Sequence, residues 1–132
     1  MKVFTWILRI VLILLLVSPI LGSFGIFPEP TPEMYNTPEA FTFINVLMHT
    51  GYITQIMSVV FAIAAALTLT NRMAAAALLL LPITVNIVGF HLILDDGLFT
   101  AGAIMANLLA LINLFFLWKN RAVYRGLLVK SA

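Results

Sequence analysis

Residues 71–97 read NRMAAAALLLLPITVNIVGFHLILDDG, an apolar run closed at one end by Asn71-Arg72 and at the other by Asp95-Asp96-Gly97. Its length is near the ~20 residues a helix needs to cross a bilayer. The closing turns are too short to let the chain wander, so the segments on either side must lie antiparallel to it. Residues 53–70 and 99–118 are apolar runs of the same kind, and residues 5–27 form a fourth. The expected fold class is all-α membrane: a four-transmembrane-helix bundle in a single domain spanning residues 1–132.

Composition agrees. The chain is 63% hydrophobic and 9% charged, whereas a soluble domain carries roughly 25% charged residues. The apolar excess has to face lipid. All seven basic residues (Lys2, Arg9, Arg72, Lys119, Arg121, Arg125, Lys130) fall at one end of this topology, and all five acidic residues (Glu29, Glu33, Glu39, Asp95, Asp96) at the other. Lys and Arg collect in cytoplasmic loops, so both termini are expected inside, with residues 119–132 as a basic cytoplasmic tail. The bases are juxtamembrane and read as lipid-headgroup contacts, not as a nucleic-acid surface. With no cysteine, disulfide shuttling, thiolate nucleophiles and Cys-ligated centres are excluded.

Span one holds Arg9 near its start, able to snorkel back to the cytoplasmic headgroups. Ser18-Pro19 and Gly22-Ser23 suggest a kink or a close helix contact. A cleaved signal peptide is the rival reading, with Lys2 and Arg9 as its basic region, residues 11–17 as its apolar core and cleavage near Gly22. Residues 28–50 form an outer connection. Within it, FPEPTPEMYN (residues 27–36) has three prolines and polyproline-like character. Thr37-Pro38-Glu39 then has the form of a helix start: Thr as N-cap, Pro at the first position, an acid in the first turn. The apolar residues 41–48 suit a short extracytoplasmic interfacial helix, broken at Gly51. Trp6 and Trp118 should mark the inner interface, and Tyr35 and Tyr52 the outer. Ala62 and Ala66, residues 74–77, and Gly102, Ala106 and Ala110 are the expected small-residue seams between helices.

The polar residues of span three hold the chemical interest. Pro82 deprives the Leu78 carbonyl of its donor and should kink the helix. Thr84, Val88, His91 and Asp95 share one stripe. Asn86 points about 140° away from His91, better placed to meet a neighbouring helix. His91 sits about one turn below the outer surface. It can act as a proton donor or acceptor, or as a ligand to a polar head such as a quinone carbonyl. It can equally make a structural hydrogen bond to Asp95 or a loop carbonyl. Asn45, His49 and Tyr52 form a second polar stripe at the same depth, so His91, His49, Asn45, Tyr52 and Asp95 are the candidate ligand-binding residues. A bland alternative is that this stripe only turns a polar face to water. The spacing matches no metal motif, and no metal site is assigned. Asn107 and Asn113 of span four read as interhelical hydrogen bonds. No nucleophile–base pair, phosphate loop or paired membrane carboxylates occur, so no catalytic residue is assigned.

Several of these segments together resemble the DoxX-like family of small four-helix membrane proteins, over about residues 51–125. The resemblance rests on Gly51-Tyr52 opening span two, on Asn71-Arg72, on the span-three pattern of Leu78 to Leu81, Pro82, Val85-Asn86-Ile87, Phe90-His91, Leu94-Asp95 and Gly97, and on Tyr124-Arg125 and Arg9. It departs where many relatives carry a Glu in span two: Phe61 stands there, followed by Ala65 in place of a Gly. The family's Gly-then-Lys or Gly-then-His element in span one has no match. The resemblance implies a bacterial inner-membrane location and links to thiosulfate–quinone chemistry, oxidative-stress complexes or chaperoning of membrane proteins.

The leading functional expectation is a non-catalytic accessory or scaffold subunit of a membrane complex, with membrane lipid and either a protein partner or further copies of the chain as its neighbours. The missing intramembrane carboxylate and the small-residue seams motivate it. The alternative is a quinone- or lipid-binding redox component with an outer pocket around His91. A small oligomeric transporter or channel is a third.

Overall fold

A computed structural model describes residues 1–131, so the last residue of the expected tail lies outside the description. The described chain is helical. Its elements are α1 (Lys2–Ser23), α2 (Pro38–Thr50), α3 (Tyr52–Leu69), α4 (Met73–Ile93), α5 (Ile104–Lys119) and a short α6 (Arg121–Tyr124). Single 3-10 turns lie at Pro32–Met34, Ala101–Ala103 and Arg125–Leu128. Four helices are long and apolar enough to cross a membrane: α1, α3, α4, and α5 with its preceding 3-10 turn. They form a ring in the order α1, α3, α4, α5, with α5 closing back on α1.

The turns obey local stereochemistry. Asn71 takes the left-handed conformation at φ 63°, which Asn tolerates better than most residues. That lets the Arg72 N–H donate to the Leu67 carbonyl at 2.7 Å and close α3. Asp96 (φ 66°) and Gly97 (φ 102°) reverse the chain after α4, and the Gly97 N–H donates to the His91 carbonyl at 2.8 Å. Gly51, at φ 73°, is the hinge between α2 and α3. Thr37 caps α2 as the sequence suggests: its hydroxyl accepts from the Ala40 N–H at 3.1 Å.

Boundaries depart most from the sequence reading in spans one and four: α1 begins at Lys2 rather than at residue 5, and α5 begins at Ile104, behind the Ala101–Ala103 turn, rather than at residue 99. Helix α1 stops at Ser23 instead of 27, because Gly25 reverses the chain at φ 72°. The interfacial helix runs Pro38–Thr50, from the expected Thr37 cap to the expected break at Gly51.

The bundle interior is built from Leu12 and Leu16 of α1, Phe61, Ala64 and Ala65 of α3, Met73, Ala77 and Leu80 of α4, and Leu109, Ile112 and Phe116 of α5. The expected Ala62–Ala66 seam is a correction: both residues are exposed, and the adjacent face of α3 carries the packing. Near the middle, the Asn113 side-chain amide donates to the Thr84 hydroxyl at 3.2 Å, joining α5 to α4. Asn107 instead donates to the Leu98 carbonyl at 2.7 Å, tying α5 to its own entry loop and not to another span.

Arg9 also corrects the sequence reading. It does not snorkel outwards. Its guanidinium turns into the bundle and donates to the Thr68 carbonyl at 2.5 Å, a carbonyl in the last turn of α3, where the helix end carries partial negative charge. Lys119 reaches the Thr5 hydroxyl at 2.8 Å and the Tyr124 hydroxyl donates to the Ala74 carbonyl at 2.8 Å. The basic end is thus laced together by side chains, while Trp6 and Trp118 stay exposed there.

The Thr84–Asn113 bond is testable by a double-mutant cycle. Thr84→Val and Asn113→Leu, measured separately and together by reversible unfolding in detergent, should give a coupling of about 0.6–2 kcal/mol. Strict additivity would mean that the two side chains do not meet.

Candidate functional site

The acidic end of the bundle is organised around the last turn of α4. A helix leaves its final carbonyls without partners, and here residues 36 and 37 of the long connection supply them. The Asn36 side-chain amide donates to the Asp95 backbone carbonyl at 3.2 Å. The Thr37 hydroxyl donates to the Leu94 carbonyl while accepting from Ala40, so both halves of its hydrogen-bonding capacity are used. The Asn36 backbone N–H donates to Asp95 Oδ1 at 2.8 Å. Tyr35 packs edge-on to Phe90, and Phe43 of α2 stacks on the same ring. Burial, and after it the charge of Asp95, hold the Tyr35 phenol above its ordinary range, so it stays a neutral packing group.

Asp95 is 2% exposed. A carboxylate that far from water is costly unless its oxygens are hydrogen-bonded. Oδ1 takes the Asn36 N–H, and Oδ2 lies 3.0 Å from His91 Nδ1. A carboxylate only accepts, so the network assigns the shared proton to Nδ1 and leaves Nε2 as the nitrogen free to meet a ligand. Gly102, at the entry to α5, lies against this pair. A Cβ there would stand 3.5 Å from Asp95 Oδ2 and 4.0 Å from His91 Cε1, in contact with both members of the pair.

His91 lines a cavity of about 510 Å³ between the four spans, within the range of small-molecule sites (~300–1,000 Å³). The remaining wall is almost wholly apolar: Leu14, Leu15 and Pro19 of α1, Met57 and Phe61 of α3, Ile87 of α4, and Met105, Ala106 and Leu109 of α5, with Ser18 as the other polar side chain. Phe61 is a cavity wall, 2% exposed. Ser18-Pro19 contributes a wall of the cavity as well.

Of the residues singled out from sequence, His91 and Asp95 are brought into direct contact. Asn45, His49 and Tyr52 do not line their cavity. The His49 ring lies on its own helix, Nδ1 against the Asn45 carbonyl at 3.1 Å, and both His49 and Tyr52 are exposed. Among the described residues no three His, Asp or Glu side chains come close enough to hold a metal ion. Pro82 lies inside α4, and Asn86 is exposed on that helix's outer face. Sequence reasoning missed Asn36 and the second bond of Thr37. Their signal was faint: an Asn directly before an N-cap Thr. It missed Gly102 as a neighbour of His91 for the same reason, since only the folded chain brings the α5 entry to the end of α4.

Comparison of the chain with family models, with curated proteins and with solved structures found no match.

Asp95→Asn tests the clasp. An amide must present its NH₂ to one of the two donors now facing carboxylate oxygens. The loss should be about 1–3 kcal/mol, with faster hydrogen exchange across residues 28–37 and little change in the basic half of the bundle. Uniform exchange across the chain would contradict a local clasp.

Proposed function

We propose that this chain is an integral membrane protein that binds a lipid-soluble ligand with a hydrogen-bonding head group, an isoprenoid quinone or a lipid of similar build. The observation that supports this reading is an apolar cavity whose polar contact is an imidazole pre-oriented by a buried carboxylate. Apolar walls suit a prenyl or acyl chain. His91 Nε2, an acceptor while Nδ1 keeps the proton, suits a hydroxyl on the head, as in the quinol form, and would hold it at the acidic end of the bundle. A quinone, when bound, would supply two-electron, two-proton redox chemistry. The chain's own part would be to exclude water, to orient the head and to offer an imidazole nitrogen as acceptor, the ring being fixed by the Nδ1 proton shared with Asp95.

The proposal extends to place and kinship. The basic residues argue for both termini in the cytoplasm, with the His91 cavity near the outer leaflet, and the span-three pattern argues for DoxX-like kinship in a bacterial inner membrane. A second reading, a non-catalytic accessory or scaffold subunit, is favoured by the exposed Asn86 amide, a polar group in a span that asks for a protein neighbour.

In lipid nanodiscs, a short-chain quinone in its reduced, quinol form should bind the wild-type protein saturably. His91→Ala should weaken it on the order of tenfold, the loss of one desolvated hydrogen bond. Ala106→Trp should block binding by filling the cavity. Thermal stability measured alongside separates the readings: if His91→Ala lowers stability and leaves quinol binding alone, His91 is a helix tie and the ligand reading fails.

A further inference from the structure

Helix α4 packs its Met73, Ala77, Leu80, Thr84 and His91 face into the bundle. The opposite face carries Leu78, Pro82, Val85, Asn86 and Ile93, all exposed, with Gly89 on the same stripe. Asn86 lies seven residues before the end of α4, about 10 Å along the axis, so its amide sits well inside a ~30 Å hydrocarbon layer. Among the described residues it has no hydrogen-bond partner. Lipid tails offer none either, and an amide left bare in hydrocarbon is strongly disfavoured.

Two further features of this face point the same way. A Cβ on Gly89 would meet nothing within 4 Å. The glycine, one turn from Asn86, therefore has no packing reason within the chain; it would let a second helix backbone come close. Pro82, one turn on the other side, takes the N–H that would have bonded the Leu78 carbonyl. Leu78 and Pro82 are both exposed, and no side chain among the described residues donates to that carbonyl.

We propose that this face of α4 is the interface of a parallel homodimer, with Asn86 bonded to Asn86 of the second copy. The argument for a second copy is self-complementarity. A primary amide carries both donors and an acceptor. Two copies inserted with the same orientation and related by a two-fold axis along the membrane normal bring identical residues to identical depth. One amide then satisfies the other without any further polar residue. The reading is independent of the His91 cavity, which opens among the helices on the other side of α4.

The absence of cysteine makes the test direct. Val85→Cys and Ile93→Cys, each in the full chain in native membranes, should form disulfide-linked dimers on mild oxidation. Ile63→Cys, on the exposed alanine face of α3, and Leu111→Cys, on the lipid face of α5, should not. Asn86→Leu should weaken self-association on the order of tenfold, read by energy transfer between labelled copies diluted in lipid, while Asn86→Gln retains most of it. Gly89→Leu should do the same by bulk alone. Neither position packs inside the monomer, so an unchanged melting profile in dilute detergent verifies the fold. Cross-linking centred on Ile63 or Leu111, association indifferent to Asn86→Leu, or a different protein captured at Val85 would overturn the proposal.

Discussion

The buried carboxylate of Asp95 is the constraint around which the acidic end of this protein is arranged. A negative charge at 2% exposure persists only where donors surround it, and its two oxygens recruit donors from different parts of the chain. One is the backbone of the long first connection, the other the imidazole one turn back on its own helix. A single residue thereby fastens the loop to α4, completes the capping of that helix by Asn36 and Thr37, and fixes the ring of His91. With the loop seated, Tyr35 and Phe43 close on Phe90 and hold α2 against the bundle.

The opposite end solves a different problem. Arg9 sits within a span, where a cation is expensive, and it turns toward a carbonyl at the negatively polarised end of α3. Its Nε remains buried without a partner. Arg9 thus ties α1 to α3, and Asp95 ties the long connection to α4, while the middle of the bundle is left to small residues, leucines and the Thr84–Asn113 bond. The cavity follows from this division. Pro19 in α1, Gly102 in the turn before α5 and Ala106 in α5 leave space between helices that are held at their ends, and Phe61 and Leu109 line the gap without filling it.

Much of this was legible in the chain. The spans, their antiparallel order and the tight turns follow from apolar run lengths and from Asn71, Asp96 and Gly97, whose positive φ angles are local matters. The His91–Asp95 pair follows from helical spacing. What misled was any inference that needed the rotation of one helix against another. Ala62 and Ala66 form as good a small-residue stripe as any, yet the face beside them is the buried one. The second polar stripe, Asn45, His49 and Tyr52, was expected at the depth of His91 but does not line its cavity: the chain turns at Gly51, and His49 and Tyr52 stay at the surface.

The sequence by itself determined the number of spans, the segregation of charge and the caps, since each depends on neighbours within a turn or two and on the plain intolerance of hydrocarbon for charge and bare backbone. Only the tertiary structure decided which polar residues found partners. It gave Asp95 one of its donors from a loop 59 residues away in the chain, drew Arg9 inwards, and left Asn86 facing out. Those outcomes depend on how helix faces are rotated and how a loop is threaded, and side-chain packing summed over the whole bundle sets both.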